Sequence, residues 1–148
     1  RVDDAVAATK AALAEGIVAG GGVTLVNLAG NLKVNGANSL SVGRQILKDA
    51  LKQPFLQIMK NAGLNADALL AQVESSKPGF GVNVMKPEDG LIDVKKAGVI
   101  DPARVTKEAV QNAVSIASTA ATMGALVVDI PEAEVAAAPG GMPGMGMM

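Results

Sequence analysis

Apolar residues return at helical spacing from the start of the chain: Val2, Val6, Leu13 and Ile17, padded by alanines, predict an amphipathic helix over 2–17. No capping residue precedes it, so the helix is expected to begin upstream of Arg1, in a longer chain. Ala19-Gly20-Gly21-Gly22 then reads as a tight helix-to-helix connector, followed by a second apolar helix through Val23, Val26 and Leu32. Asn35 to Ser39 is turn chemistry, and Ser39 or Ser41 is placed to cap a third helix carrying Val42, Ile46, Leu47 and Leu51. Pro54 suits the first turn of a fourth helix that Gly63 closes in the left-handed conformation, and Asn65 caps a fifth reaching Val73.

Ser75 to Gly79 breaks this helical run. Phe80–Val84 and Leu91–Val94 read as two short strands of a hairpin around Pro87-Glu88-Asp89-Gly90. Asp101-Pro102 is a strong local helix start, with the carboxylate as cap, and the helix is expected to run to about Met123. Ala125–Ile130 resembles a short buried or edge strand. After Pro131 the chain turns to Ala-Gly-Pro-Met low complexity, which cannot bury enough surface to offset its backbone entropy and is expected to be disordered. The fold class expected is therefore mainly α, with a small β-hairpin and a short C-terminal strand.

Composition narrows the chemistry. Hydrophobic residues make up 49% of 148, enough for the core of one domain. Thirteen basic residues against 14 acidic ones give a net charge of −1 and no basic stripe to neutralise a phosphate backbone, so nucleic acid is not an expected partner. The chain has no Cys and no His, which removes thiolate nucleophiles, Ser-His triads, zinc clusters and disulfides together. Carboxylates, Lys, hydroxyls and backbone amides remain. Absence of Cys fits a reducing cytoplasm, and the opening residues show no signal-peptide pattern. The uncharged stretch 109–128 is long enough to cross a bilayer, but Gln111, Asn112, Ser115, Ser118, Thr119 and Thr122 argue against a membrane span.

Four features could carry chemistry, each with a plain structural reading beside it. Gly20 to Gly22 could expose N–H groups to an anion at a helix N-terminus; they match neither phosphate-loop spacing, and close packing of two helices explains them as well. Asp3 and Asp4 are either a solvated face or a place where one carboxylate orients water or a cation. Asp101 is either a helix cap alone or a site carboxylate. Asn83, between two valines of an expected strand, needs a partner for its amide.

Four segments, in order, resemble the C-terminal equatorial part of group I (GroEL-type) chaperonins: Arg1-Val2-Asp3-Asp4-Ala5, Glu15 to Gly22, Gly81-Val82-Asn83, and Ala97 to Thr106. The resemblance covers Arg1 to about Pro131, and the Gly-Met-rich ending is similar to the family's tails. It implies residues 1–131 as part of an ATP-binding equatorial domain and 132–148 as a tail. It also implies Asp4 as the carboxylate orienting the water that attacks the terminal phosphate, and Gly21 as the glycine against the nucleoside. Asn83, Val84 and Met85 correspond to the segment at the adenine edge, and Asp101 to the carboxylate near the ribose. The family usually has Asn-Ala-Ala where this chain has Asn83-Val84-Met85, so larger side chains are expected to crowd the base unless the backbone makes the contacts. Lys86 to Lys96 also departs from the family pattern.

The resemblance implies ATP with Mg2+, the metal held mainly by residues outside this chain, because the phosphate-cradling Asp-Gly-Thr-Thr-Thr loop does not occur here. Implied partners are identical subunits in a double-ring homo-oligomer, with a co-chaperonin lid and unfolded clients engaged through domains that this chain lacks. Alone, the chain is expected not to hydrolyse ATP. The competing expectation is a stand-alone helical interaction protein without nucleotide function.

Overall fold

The structure, a computed structural model, describes residues 2–128. Six helices are present: α1 (Val2–Glu15), α2 (Val23–Asn31), α3 (Ser39–Ala50), α4 (Gln53–Asn61), α5 (Ala66–Ser75) and α6 (Ala103–Thr122). Four short strands join them: β1 (Ile17–Ala19), β2 (Phe80–Val82), β3 (Leu91–Asp93) and β4 (Ile100–Pro102). The mainly helical class is as expected.

Local chemistry sets most of the helix ends. Asn65 caps α5 by accepting the Ala68 N–H at 3.2 Å, and Gly63 takes a φ of 73° after α4, both as the turn residues required. The cap of α3 is Asn38, not Ser39 or Ser41. Its Oδ1 accepts the Ser41 N–H at 2.9 Å, while the buried Ser41 hydroxyl donates back to the Asn35 carbonyl. An amide that turns on itself at the helix start outcompetes the two serines behind it.

The hairpin forms antiparallel, with Phe80 opposite Asp93, Gly81 opposite Ile92 and Val82 opposite Leu91. It is shorter than its apolar pattern suggested, because the chain leaves the ladder at Asn83. The sequence pattern missed the second pairing altogether. β1 runs antiparallel to β4, with Ile17 opposite Pro102, Val18 opposite Asp101 and Ala19 opposite Ile100. The first helix therefore stops at Glu15, Gly16 turns the chain at a φ of 81°, and Ile17 and Val18 are strand, as β-branched residues favour. The glycines consequently connect a strand to a helix, and not two helices. Among the described residues, 125–128 form no strand; 129–130 and the expected tail lie outside the described residues.

The core is built by α2, α4, α5 and the hairpin: Val23, Val26, Phe55, Met59, Val73, Val82 and Val94 are buried together. Neither α1 nor α6 contributes a buried residue. The two helices lean on each other and on β4, joined at the surface by Glu15, whose carboxylate meets Lys107 Nζ at 2.5 Å and Arg104 Nε at 3.9 Å. Large apolar side chains consequently stay in solvent, among them Leu13 at 83% and Ile116 at 71% exposure. An apolar cleft of about 630 Å³ separates α6 from α3, between Leu47 and Leu51 on one wall and Val110 and Val114 on the other. No helix among the described residues is long and apolar enough to cross a membrane.

Candidate functional site

The sequence candidates gather around the first turn of α2, with one exception. Gly20 lies flat against β4: its N–H donates to the Val99 carbonyl at 3.0 Å, and an added Cβ would sit 3.0 Å from the Ile100 nitrogen. Gly22 meets the start of α4, where a Cβ would come within 2.8 Å of the Phe55 nitrogen. Close packing accounts for these two glycines. Gly21 differs. Its φ is 64°, and the one atom near a Cβ there is the Val99 Cγ1, at 3.7 Å, an ordinary contact.

The surrounding hydrogen bonds tie down the turn without using it up. Val23 N–H donates to the Gly20 carbonyl, Val26 N–H to the Gly22 carbonyl, and the Thr24 hydroxyl to the Ala19 carbonyl. The Gly21 and Gly22 N–H groups donate to none of the described residues. They stand at the positive end of a nine-residue helix, an environment that favours an anionic or strongly polar group.

β4 brings Asp101 to this turn. The expected capping role does not occur: α6 begins at Ala103 behind Pro102, with no side-chain cap, and the Ala103 N–H donates to the Gly16 carbonyl. Pairing of β4 with β1 satisfies the backbone here and leaves the half-buried Asp101 carboxylate uncommitted. Partial burial raises its pKa above the ordinary carboxylate value, and it meets no cation among the described residues.

The hairpin approaches from the other side. A Cβ on Gly81 would collide with Val23 Cγ2, which brings β2 against the first residue of α2. Asn83 then leaves the strand in a tight turn, with its Oδ1 accepting the Met85 N–H at 3.0 Å and its own carbonyl accepting the Lys86 N–H at 2.9 Å. The partner that an amide between two valines requires is thus local. Val84 packs against the core, whereas Met85 is 84% exposed. The valine side chain is accordingly partly taken up by the fold, and of the two side chains the methionine is the more exposed.

Asp4 is the exception. It is exposed in the first turn of α1, about 16 Å along the helix from its end. What links it to the rest is the groove between α1 and α6, about 1090 Å³, which Asp4 lines together with Lys10, Pro102 and Arg104. Pro102 is the neighbour of Asp101. Among the described residues no group of three or more acidic side chains could hold a metal ion. Sequence reasoning missed the strand pairing that positions Asp101; Ile17-Val18 and Val99-Ile100, two β-branched pairs beside glycines, were its signal.

Residues 1–131 match the TCP-1/cpn60 chaperonin family. Chaperonin GroEL 1 of Prochlorococcus marinus strain MIT 9215 is 42% identical over 147 residues, covering 97% of this chain and 24% of the relative. The protein of the same name from strain MIT 9312 is 42% identical over 144 residues, again with 24% of the relative covered. In structure, a group III chaperonin crystallised in the open state superposes with a TM-score of 0.70 at 28% identity, over 79% of this chain and 25% of that one. The chain thus spans about a quarter of the length of these relatives. With nearly its whole length matched in sequence and most of it in fold, the chain belongs to the TCP-1/cpn60 chaperonin family.

Proposed function

We propose that residues 1–131 are the C-terminal part of the equatorial domain of an ATP-dependent chaperonin subunit, with 132–148 as its tail. In this reading the chain supplies one wall of the nucleotide site. Gly21 receives the nucleoside against a backbone free of side chain. Asp101 lies near the ribose, where its uncommitted carboxylate accepts hydroxyl hydrogen bonds. The turn Asn83-Val84-Met85 borders the base. Asp4 orients the attacking water and accepts its proton from across the α1–α6 groove.

The observation that carries the reading is the meeting of three separate segments, Gly20–Gly22, Val99–Asp101 and Gly81–Asn83, at one helix N-terminus with two free N–H groups. The unburied faces of α1 and α6 and the apolar cleft support a domain completed by further chain. In this reading the whole subunit belongs to a cytoplasmic double-ring assembly that acts on unfolded proteins with a co-chaperonin lid. Phosphoryl transfer depends on clamping the phosphates and their Mg2+, and in this reading the metal is held mainly by residues outside this chain, since no acidic cluster among the described residues could hold it. Two or three hydrogen bonds of about 1 kcal/mol each with partial burial of a base correspond to roughly millimolar affinity, so the chain alone binds ATP weakly and does not hydrolyse it.

The test is a chimaeric subunit in which this chain replaces the matching segment of the Prochlorococcus relative. It is expected to assemble and to hydrolyse ATP. In it, Asp4→Ala is expected to lower hydrolysis by about 100-fold or more while ATP is still bound. An Asp4→Ala chimaera that hydrolyses ATP at the parent rate refutes the assignment.

A further inference from the structure

Of the asparagines in the chain, Asn35 alone is followed by glycine. Asn27, Asn31, Asn61 and Asn112 lie in helices, and Asn38, Asn65 and Asn83 each hold a backbone N–H on Oδ1. Asn35 differs on both counts. It is exposed between α2 and α3, and its hydrogen bond to the described residues is made by its main-chain carbonyl, which leaves the side-chain amide uncommitted. Gly36 is exposed as well, at a φ of 85°, and its N–H donates to none of the described residues. A Cβ on Gly36 would meet Ser41 Oγ at 4.0 Å and no other atom as near, so the turn is open. An uncommitted carboxamide beside an unhindered backbone nitrogen is a reactive pair.

We propose that Asn35-Gly36 is a site of spontaneous deamidation, and that its isoaspartyl product releases the first turn of α3. The Gly36 nitrogen bonds to Asn35 Cγ, the Cγ–Nδ2 bond breaks, and ammonia leaves with the Gly36 proton, closing a succinimide ring. Water is the co-reactant that reopens the ring, and nothing is oxidised or reduced. Addition of water at Cγ gives an aspartyl residue with the main chain as before. Addition at the main-chain carbonyl carbon gives the isoaspartyl linkage, in which the chain runs through Cβ and Cγ and the former carbonyl becomes a free carboxylate. That carbonyl is the group to which the Ser41 hydroxyl donates. Asn38 Oδ1 accepts the Ser41 N–H at 2.9 Å, and the Asn38 carbonyl accepts the Val42 N–H at 3.1 Å. Ser41 is also the one buried residue of α3. The isoaspartyl linkage takes the carbonyl out of the main chain and lengthens the chain by a methylene, so residues 36–38 no longer hold the cap in register. The aspartyl product leaves all of these groups in place.

The full chain is aged in mildly alkaline buffer, either folded or held unfolded in urea, and digested with trypsin, which releases residues 34–44 by cleavage after Lys33 and Arg44. Mass spectrometry is expected to find the amide-to-acid increment on Asn35 in the folded chain at a rate within about 3-fold of that in urea, because no hydrogen bond has to open first. An Asn35 that keeps its amide in the folded chain overturns the proposal, whatever happens in urea, as does conversion of Asn38 in its place. Asn35→Gln keeps the main-chain carbonyl and is expected to abolish the increment in this peptide; persistence of the increment would show that the reaction belongs to another residue. The isoaspartyl and aspartyl forms are then separated by chromatography and compared by hydrogen exchange. In the isoaspartyl form the Ser41 and Val42 amides are expected to exchange about 5-fold or more faster than in the unaged chain, while the aspartyl form and the amides of α4 and α5 match it. Equal exchange in the two forms refutes the release of α3.

Discussion

Replacing Gly22 by alanine tests how closely the nucleotide turn is keyed into the core. The new Cβ would lie 2.8 Å from the Phe55 nitrogen and 2.9 Å from its Cα, distances that real Cβ atoms do not adopt. Both atoms are backbone in the first turn of α4, so no side-chain rotation relieves the contact. Two penalties add. The left-handed φ of 79° costs an L-residue about 1 kcal/mol, and forcing a methyl into a packed contact costs about 1–3 kcal/mol more. Gly63 provides the internal control: its φ of 73° is nearly the same, but nothing lies within 4 Å of a Cβ there. Gly63→Ala should therefore lose only the conformational part, about 1 kcal/mol. Urea unfolding followed by far-ultraviolet circular dichroism measures both, and with equal slopes the difference in midpoint gives the packing part alone. Equal losses at the two positions would refute the close approach of the turn to α4.

Asp101→Asn should raise stability at neutral pH and leave it unchanged below the ordinary carboxylate range. Burial raises the folded-state pKa, so the neutral form is favoured by folding, and that contribution is lost as pH rises through the folded value; thermal midpoints at the two pH values check it, and an equal shift at both would contradict it. Glu15→Gln should loosen the junction of α1 and α6 by a small, salt-sensitive amount, because Arg104 keeps Glu108 at 2.8 Å while Lys107 loses its carboxylate; a thermal shift that persists in molar salt would point to packing instead. The isolated chain should self-associate through the unburied faces of α1 and α6, and sedimentation velocity over a concentration series would contradict this by showing one monomeric species throughout. Calorimetric titration of that chain with ATP should give no better than about millimolar affinity, and micromolar binding would overturn the view that most of the site lies elsewhere.

Local signals in the sequence were faithful where local chemistry decides. Asn65 and Gly63 end their helices as turn chemistry requires, and Phe80–Val82 with Leu91–Asp93 pair around a proline-glycine turn. Long-range pairing was not legible. Ile17-Val18 continues the apolar rhythm of α1, so the spacing reads as helix until β4, more than 80 residues away, offers a ladder. Asp101-Pro102 likewise looks like a helix start to any local rule, yet strand pairing takes its backbone and the capping role disappears. Asn38 was overlooked because two serines behind it suit the same role. For the candidate site, the residues proposed rest on family resemblance, whereas the hydrogen bond between Asn83 and the Met85 N–H and the packing of Val84 against the core belong to the folded chain and leave no trace in a local pattern.

The central claim is that this chain completes a nucleotide site when joined to the rest of a chaperonin subunit. The most direct test is steady-state ATP hydrolysis by the chimaera carrying this chain, compared with its Asp4→Ala variant and with the chain alone. Hydrolysis by the chimaera, its loss by about 100-fold or more in the variant with ATP still bound, and none by the isolated chain are the expected results. An assembled chimaera that neither binds nor hydrolyses ATP would contradict the account.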